Sequence, residues 1–253
     1  MKRDAGVAGG VAGLTLTLLK MLGALPLTGV YALEALIRTL TPRRFRRRDV
    51  RGHIVLITGG GSGLGRELAL RFAAAGATVL VWGRNLRALE ETKDKVESTG
   101  GSCFVYRVDV TDREAVYSTA GKIKSQFGMV DILVNNAGVA YGKNILDSND
   151  DEIVNTFNVN IISHFYTTKA FLPEMLKINS GHVVTMSSMG GYTAVNRMTD
   201  YCASKFAAVG YNEALTMELR VNGHTGVLTT LVCPYYVDTG MFSGIASRWV
   251  PRT

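Results

Sequence analysis

From His53 onward the chain alternates short apolar runs with longer amphipathic stretches, and this alternation restricts the fold more than any other feature. HIVLIT, ATVLVW, SCFVYRV and DILV have the length and β-branched content of buried strands. LGRELALRFAAAG, NLRALEETKDKVESTG and the stretch from Asp112 to Phe127 carry helical periodicity between them. GHVVTMSS, YCASKFAAVGYNEALTMEL and TGVLTTLVC continue as strand, helix and strand. Strands separated by helices of roughly 10–15 residues build βαβ units. The expectation over 53–253 is therefore α/β, a single Rossmann-type doubly wound parallel sheet with helices on both faces.

Between the first strand and the first helix lies Thr58-Gly59-Gly60-Gly61-Ser62-Gly63-Leu64-Gly65. Glycine lets the backbone turn tightly and approach a pyrophosphate, and the following helix N-terminus supplies free N–H groups. The spacing is TGxxxGxG and not GxGxxG, so the position after a strand and before a helix carries the argument. The second strand ends in Trp82-Gly83-Arg84-Asn85, with no carboxylate to hold an unmodified adenosine ribose. Arg84 offers a fork of donors to a 2′-phosphate, and Ser62 a hydroxyl. This favours NADP(H) over NAD(H); the plain alternative is a solvated surface arginine.

Ser188 ends the strand GHVVTMSS, and Tyr201 follows thirteen residues later at the start of a helix. Tyr201 and Lys205 are four apart and so project from one helix face. A tyrosine titrates near 10, too high for a good base at neutral pH. A nearby ammonium and an oxidised nicotinamide are expected to lower that value. Ser188 would hold the substrate oxygen while Tyr201 moves its proton. Taken singly these residue types are usually structural; their spacing downstream of a dinucleotide turn is specific.

Composition excludes several classes. The chain is 47% hydrophobic and 19% charged, which excludes disorder and coiled coil. Its net charge is +7, but five of the positive charges are Arg43, Arg44, Arg46, Arg47 and Arg48. The excess is a local cluster, so no nucleic-acid partner is expected. Cys103, Cys202 and Cys233 are widely spaced, and the four histidines are scattered, which argues against a disulfide framework or a metal site.

The first 40 residues differ from the rest. Between Ala5 and Leu40 the only charged residues are Lys20, Glu34 and Arg38. A helix from Ala5 to Leu25 would be about 30 Å long, near the thickness of a bilayer core. Pro26 removes a backbone donor and would break or kink it. The reading is a membrane anchor over 1–40, single-pass or a hairpin in one leaflet or a droplet monolayer, followed by a basic linker over 41–52. A cleaved signal peptide is the rival, because Lys2 and Arg3 precede the apolar run. Basic residues beside such a segment stay cytosolic and attract anionic headgroups at about 1 kcal/mol each. The same cluster is also compatible with a solvated linker.

Together these motifs make the chain similar to the short-chain dehydrogenase/reductase family from about His53 to Gly240. The likeness rests on TGGGSGLG, Asp109-Val110, Asn135-Asn136-Ala137-Gly138, Asn160, Ser188, YCASK and Pro234. It implies Tyr201 as acid/base, Ser188 against the substrate oxygen, and Lys205 on the nicotinamide ribose. Asn160 matches the helix asparagine that holds a water in the proton relay. The cofactor would meet Gly59, Ser62, Gly63, Leu64, Gly65, Arg84, Asp109, Val110, Asn136, Gly138, Pro234, Val237 and Thr239, besides Tyr201 and Lys205.

TTKAFLPEML, YCASKF, VDTGMF and the apolar anchor look like the retinol and 17β-hydroxysteroid dehydrogenase branch of endoplasmic reticulum and lipid droplets. The implied substrate is a lipophilic alcohol/carbonyl pair, retinol/retinal or a steroid, with the domain facing the cytosol and a homodimer as the family expectation. Two departures stand out. Pro234-Tyr235 replaces the family's Pro-Gly, and the chain stops 13 residues after Gly240, where relatives continue through a substrate lid. A fragment, a short isoform and a natural end are all open for this terminus, and TGVLTTLVC is expected to be an uncovered edge. The opposing function is a catalytically weak, membrane- or droplet-associated cofactor-binding scaffold.

Overall fold

Each apolar run becomes a strand because its β-branched and aromatic side chains fill the two faces of a pleated sheet. The computed structural model describes residues 49–241. The proposed anchor over 1–40 and most of the linker over 41–52 lie outside the described residues. The strands are β1 (Ile54–Thr58), β2 (Thr78–Gly83), β3 (Ser102–Arg107), β4 (Ile132–Asn135), β5 (Gly181–Met186) and β6 (Val227–Val232). The helices are α1 (Gly63–Ala74), α2 (Leu86–Glu97), α3 (Arg113–Phe127), α4 (Asp150–Phe157), α5 (Ser163–Lys177) and α6 (Thr199–Val221). A π-helical turn, Asn158–Ile162, joins α4 to α5.

The sheet is parallel throughout, in the order β3-β2-β1-β4-β5-β6. Alternation along the strands divides the core into two layers. Leu56, Leu80, Leu133 and Val183 pack with residues of α3, α5 and α6, including Val116, Phe171 and Leu215. Val55, Ile57, Val79, Val81 and Val134 pack with Ala69 and Ala73 of α1 and Leu89 and Val96 of α2. Asn85 and Asp112 cap α2 and α3, accepting backbone N–H groups that the first turn leaves free.

The chain leaves β1 toward β2 on one side, while β4 pairs with β1 on the other. A crevice opens at the carboxyl ends of these two strands, where ligands bind in sheets of this topology. β6 ends the described sheet, as expected of TGVLTTLVC. No helix among the described residues is long and apolar enough to cross a membrane.

Candidate active site

The glycine turn is shaped by contacts that leave no space for side chains. Gly59 has φ +68°, and a Cβ there would stand 2.9 Å from the Ala137 Cα. A Cβ on Gly65 would run into the Gly59 carbonyl oxygen. Thr58 ties the two sides of the crevice together: its Oγ1 accepts the N–H groups of Asn136 at 2.9 Å and Ala137 at 3.0 Å. Asn136 answers by donating its Nδ2 to the Thr58 carbonyl at 2.9 Å. Ser62 is the exposed N-cap residue of α1, and its hydroxyl makes no capping bond. The turn thus presents N–H groups and a hydroxyl, with no side chain filling the space, as a bound pyrophosphate requires.

Two adjoining cavities receive this turn. A cleft of about 1000 Å³ holds Gly59, Ser62, Gly63, Leu64, Asn136 and Gly138 at one end. Ser188, Tyr201, Lys205, Pro234, Val237 and Thr239 line the same cleft further along. A smaller cavity of about 130 Å³ lies between Asp109, Val110, Gly138 and Val159. Arg84 borders both. Its guanidinium is largely exposed and 4.0 Å from Asp109 Oδ2, a loose pair that leaves its donors available. Asp109 is oriented through its other oxygen, which accepts the Thr111 N–H at 2.9 Å and hydroxyl at 2.8 Å. Gly65 lies behind the turn and supports it.

The chemical end of the cleft rests on β5 and α6. Ser188 follows β5, and its hydroxyl accepts the Gly190 N–H at 3.0 Å and hydrogen-bonds Tyr201. Lys205 is buried and donates its Nζ to the Met186 carbonyl at 2.8 Å. Its ammonium lies 5.7 Å from the centre of the Tyr201 ring. Burial pushes Lys205 down to about 8, opposed by Cys233 nearby.

Burial also pushes the Tyr201 phenol up, and the Ser188 hydrogen bond opposes this only in part. The expected lowering of Tyr201 is therefore not delivered by the chain alone. Desolvation of the phenolate outweighs the other influences, and the Lys205 ammonium is directed at a carbonyl.

Asn160 sits in the π-helical turn, fully buried and behind the cleft wall. Its Oδ1 accepts the Val139 N–H at 2.8 Å, and its Nδ2 donates to the Val139 carbonyl and the Ser204 hydroxyl, both at 3.0 Å. The side chain therefore clamps the loop after β4 to the helix carrying Tyr201. Sequence reasoning assigns no role to Thr58 or Arg66, and it does not place Tyr141, Val195 and Met198 on the cleft wall. Thr58 stands inside the glycine motif; the others have no local signal.

The short chain dehydrogenase family model matches residues 53–248. Mouse estradiol 17-beta-dehydrogenase 11 is 43% identical over 92% of this chain and 78% of the relative. Human 17-beta-hydroxysteroid dehydrogenase 13 is 41% identical over 89% of this chain and 75% of its own length. A Burkholderia phymatum short chain dehydrogenase/reductase solved with NAD superposes with a TM-score of 0.74 and 32% identity, covering 78% of this chain and 70% of that one. A putative gluconate 5-dehydrogenase from Beutenbergia cavernae with bound NADP gives 0.73 and 32%, covering 78% and 77%. With the sheet order, the glycine turn and the Ser188, Tyr201 and Lys205 cleft already in place, these matches decide the matter: the chain belongs to the short-chain dehydrogenase/reductase family of oxidoreductases.

Proposed function

We propose that the protein interconverts a lipophilic alcohol and its carbonyl, a steroid before a retinoid, with NADP(H) as cofactor and Tyr201 as acid/base. The observation that carries this reading is the single cleft joining the glycine turn to Ser188, Tyr201 and Lys205. When bound, the nicotinamide supplies or accepts the hydride. Ser188 holds the substrate oxygen by hydrogen bonding, and Tyr201 gives or takes the proton at that oxygen. Lys205, held by the Met186 carbonyl, faces the same space and supplies donors for a ribose hydroxyl.

Met189, Val195, Met198 and Tyr235 give the far wall an apolar character suited to a lipophile. The names of the similar hydroxysteroid dehydrogenases support the steroid class. Arg84 and the absence of a carboxylate after β2 support the 2′-phosphate. The apolar segment 1–40 supports attachment to the endoplasmic reticulum membrane or a lipid droplet, with the domain in the cytosol.

The test is turnover of a panel of steroid and retinoid alcohols and carbonyls with each cofactor, by the parent and by Tyr201→Phe. The variant loses one hydroxyl, and its rate should drop by about 10²–10⁴-fold while dinucleotide binding is kept. Near-parental turnover by Tyr201→Phe would remove it from the chemistry.

A further inference from the structure

Arg66 lies in the first turn of α1, half-buried, with no place in the chemistry described above. One guanidinium there reaches two elements. Its Nη2 donates to the Gly61 carbonyl in the glycine turn, to the Ala88 carbonyl at 3.1 Å, and to Glu91 Oε2 at 3.1 Å. Its Nε donates to Thr92 Oγ1 at 3.0 Å. Ala88, Glu91 and Thr92 belong to α2, the helix that Arg84 and Asn85 introduce.

A second contact joins the same two segments. A Cβ on Gly61 would come within 3.3 Å of the Ala88 carbonyl carbon, the Ala88 side chain and the Leu89 nitrogen. The turn therefore rests directly on the first turn of α2. Ala88 is also the residue whose N–H is accepted by Asn85 Oδ1, at 3.2 Å. Arg66 is thus connected, through Ala88, to the cap adjoining Arg84.

We propose that Arg66 is a positioning residue that sets cofactor selectivity by locking the phosphate turn to the segment bearing Arg84. Selectivity for a 2′-phosphate needs the Ser62 hydroxyl and the Arg84 guanidinium at a fixed spacing. The Gly60 N–H bond to the Trp82 carbonyl at 3.0 Å joins the turn to the end of β2. Arg66 adds the tie from the turn to the start of α2, beyond Arg84. Arg84 is exposed, and Ser62 makes no capping bond. The lock also orients charge. Glu91 is paired with Arg66 at 3.1 Å and with Arg87 at 3.6 Å, and losing Arg66 would leave its carboxylate on α2 less compensated. The inference rests on the NADP(H) reading, and it goes beyond it by naming the residue that makes Arg84 effective.

The test is a double-mutant cycle read by binding alone, using quenching of intrinsic fluorescence in the full chain. Dissociation constants for NADPH and NADH are measured for the parent, Arg66→Met, Arg66→Lys, Arg84→Ala and the Arg66→Met/Arg84→Ala pair. Arg66→Met should weaken NADPH about tenfold and NADH only about two- to threefold, the difference reflecting one charge-assisted hydrogen bond from Arg84 that is no longer held in place. In the Arg84→Ala background the same change should cost NADPH no more than it costs NADH. Arg66→Lys keeps the charge but cannot span Gly61, Ala88 and Thr92, so it should show the same pattern at smaller size. It also serves as the readout should the Met variant fold poorly.

Equal losses for the two cofactors, or independent multiplication of the two substitutions, overturns the proposal while the NADP(H) reading stands. A parent that binds both cofactors equally and is indifferent to Arg84→Ala overturns both.

Discussion

Single side chains in this protein act through a few strong contacts, and two of them give direct tests. Arg84 borders both cavities and holds only a loose pair with Asp109. Arg84→Ala should weaken NADPH by about tenfold and leave NADH nearly unchanged, since a hydrogen bond to a charged group contributes roughly 1.5–3 kcal/mol and exposure reduces it. Titration with the two cofactors measures this, and equal losses would remove Arg84 from 2′-phosphate recognition. His164 offers a pH test. It is buried, and neither ring nitrogen has a hydrogen-bond partner. Burial pushes it from an ordinary value of 6.5 down to about 3, with a contribution from Lys205. The folded chain then binds fewer protons at this site than the unfolded chain below pH 6.5. Its stability is fully present above that value and falls as the pH drops toward about 3. Denaturant midpoints from pH 7 to 4 should decline less steeply in His164→Gln than in the parent, and parallel curves would count against a neutral buried imidazole.

At the scale of elements, the crevice depends on cross-ties between segments remote in sequence. Thr58 at the end of β1 accepts two N–H groups from the loop after β4. Thr58→Val keeps the shape but leaves both half-buried donors without that acceptor, at about 1 kcal/mol for each lost hydrogen bond. The expected result is a lower denaturation midpoint together with weaker dinucleotide binding, since the same donors shape the cleft floor. A variant with parental stability and affinity would show that these bonds are replaceable. The π-helical turn plays a parallel part on the other side. Inserting one extra residue per turn is uncommon and tends to mark functional positions. Here it carries Asn160, whose amide holds Val139 in front of α6.

For the whole molecule, the first 40 residues and the basic cluster carry the expectation of attachment. Deleting 1–40 should move the protein from the membrane or droplet fraction to the soluble fraction on flotation. Replacing Arg43, Arg44, Arg46, Arg47 and Arg48 should weaken attachment in a salt-dependent way without abolishing it, because that contribution is electrostatic and screened. Protease added to sealed microsomes should digest the domain around Tyr201, and full protection without detergent would place it in the lumen.

What the sequence determined by itself is what local spacing encodes. Strand and helix periodicity specified the six strands and the helices α1, α2, α3 and α6, because each pattern repeats within a few residues, while α4 and α5 were not read from it. The i, i+4 spacing of Tyr201 and Lys205 put both in one cleft, and the glycine turn announced itself by position. Tertiary structure decided the rest, because the deciding contacts join residues far apart in the chain. Arg66 meets partners 22 to 26 positions away in α2, and Thr58 meets Asn136 across 78. Burial, which no window of sequence reports, drives Tyr201 up and Lys205 down, the reverse of what their proximity alone suggested for Tyr201. It does so because a folded interior removes the water that would otherwise stabilise the charged forms.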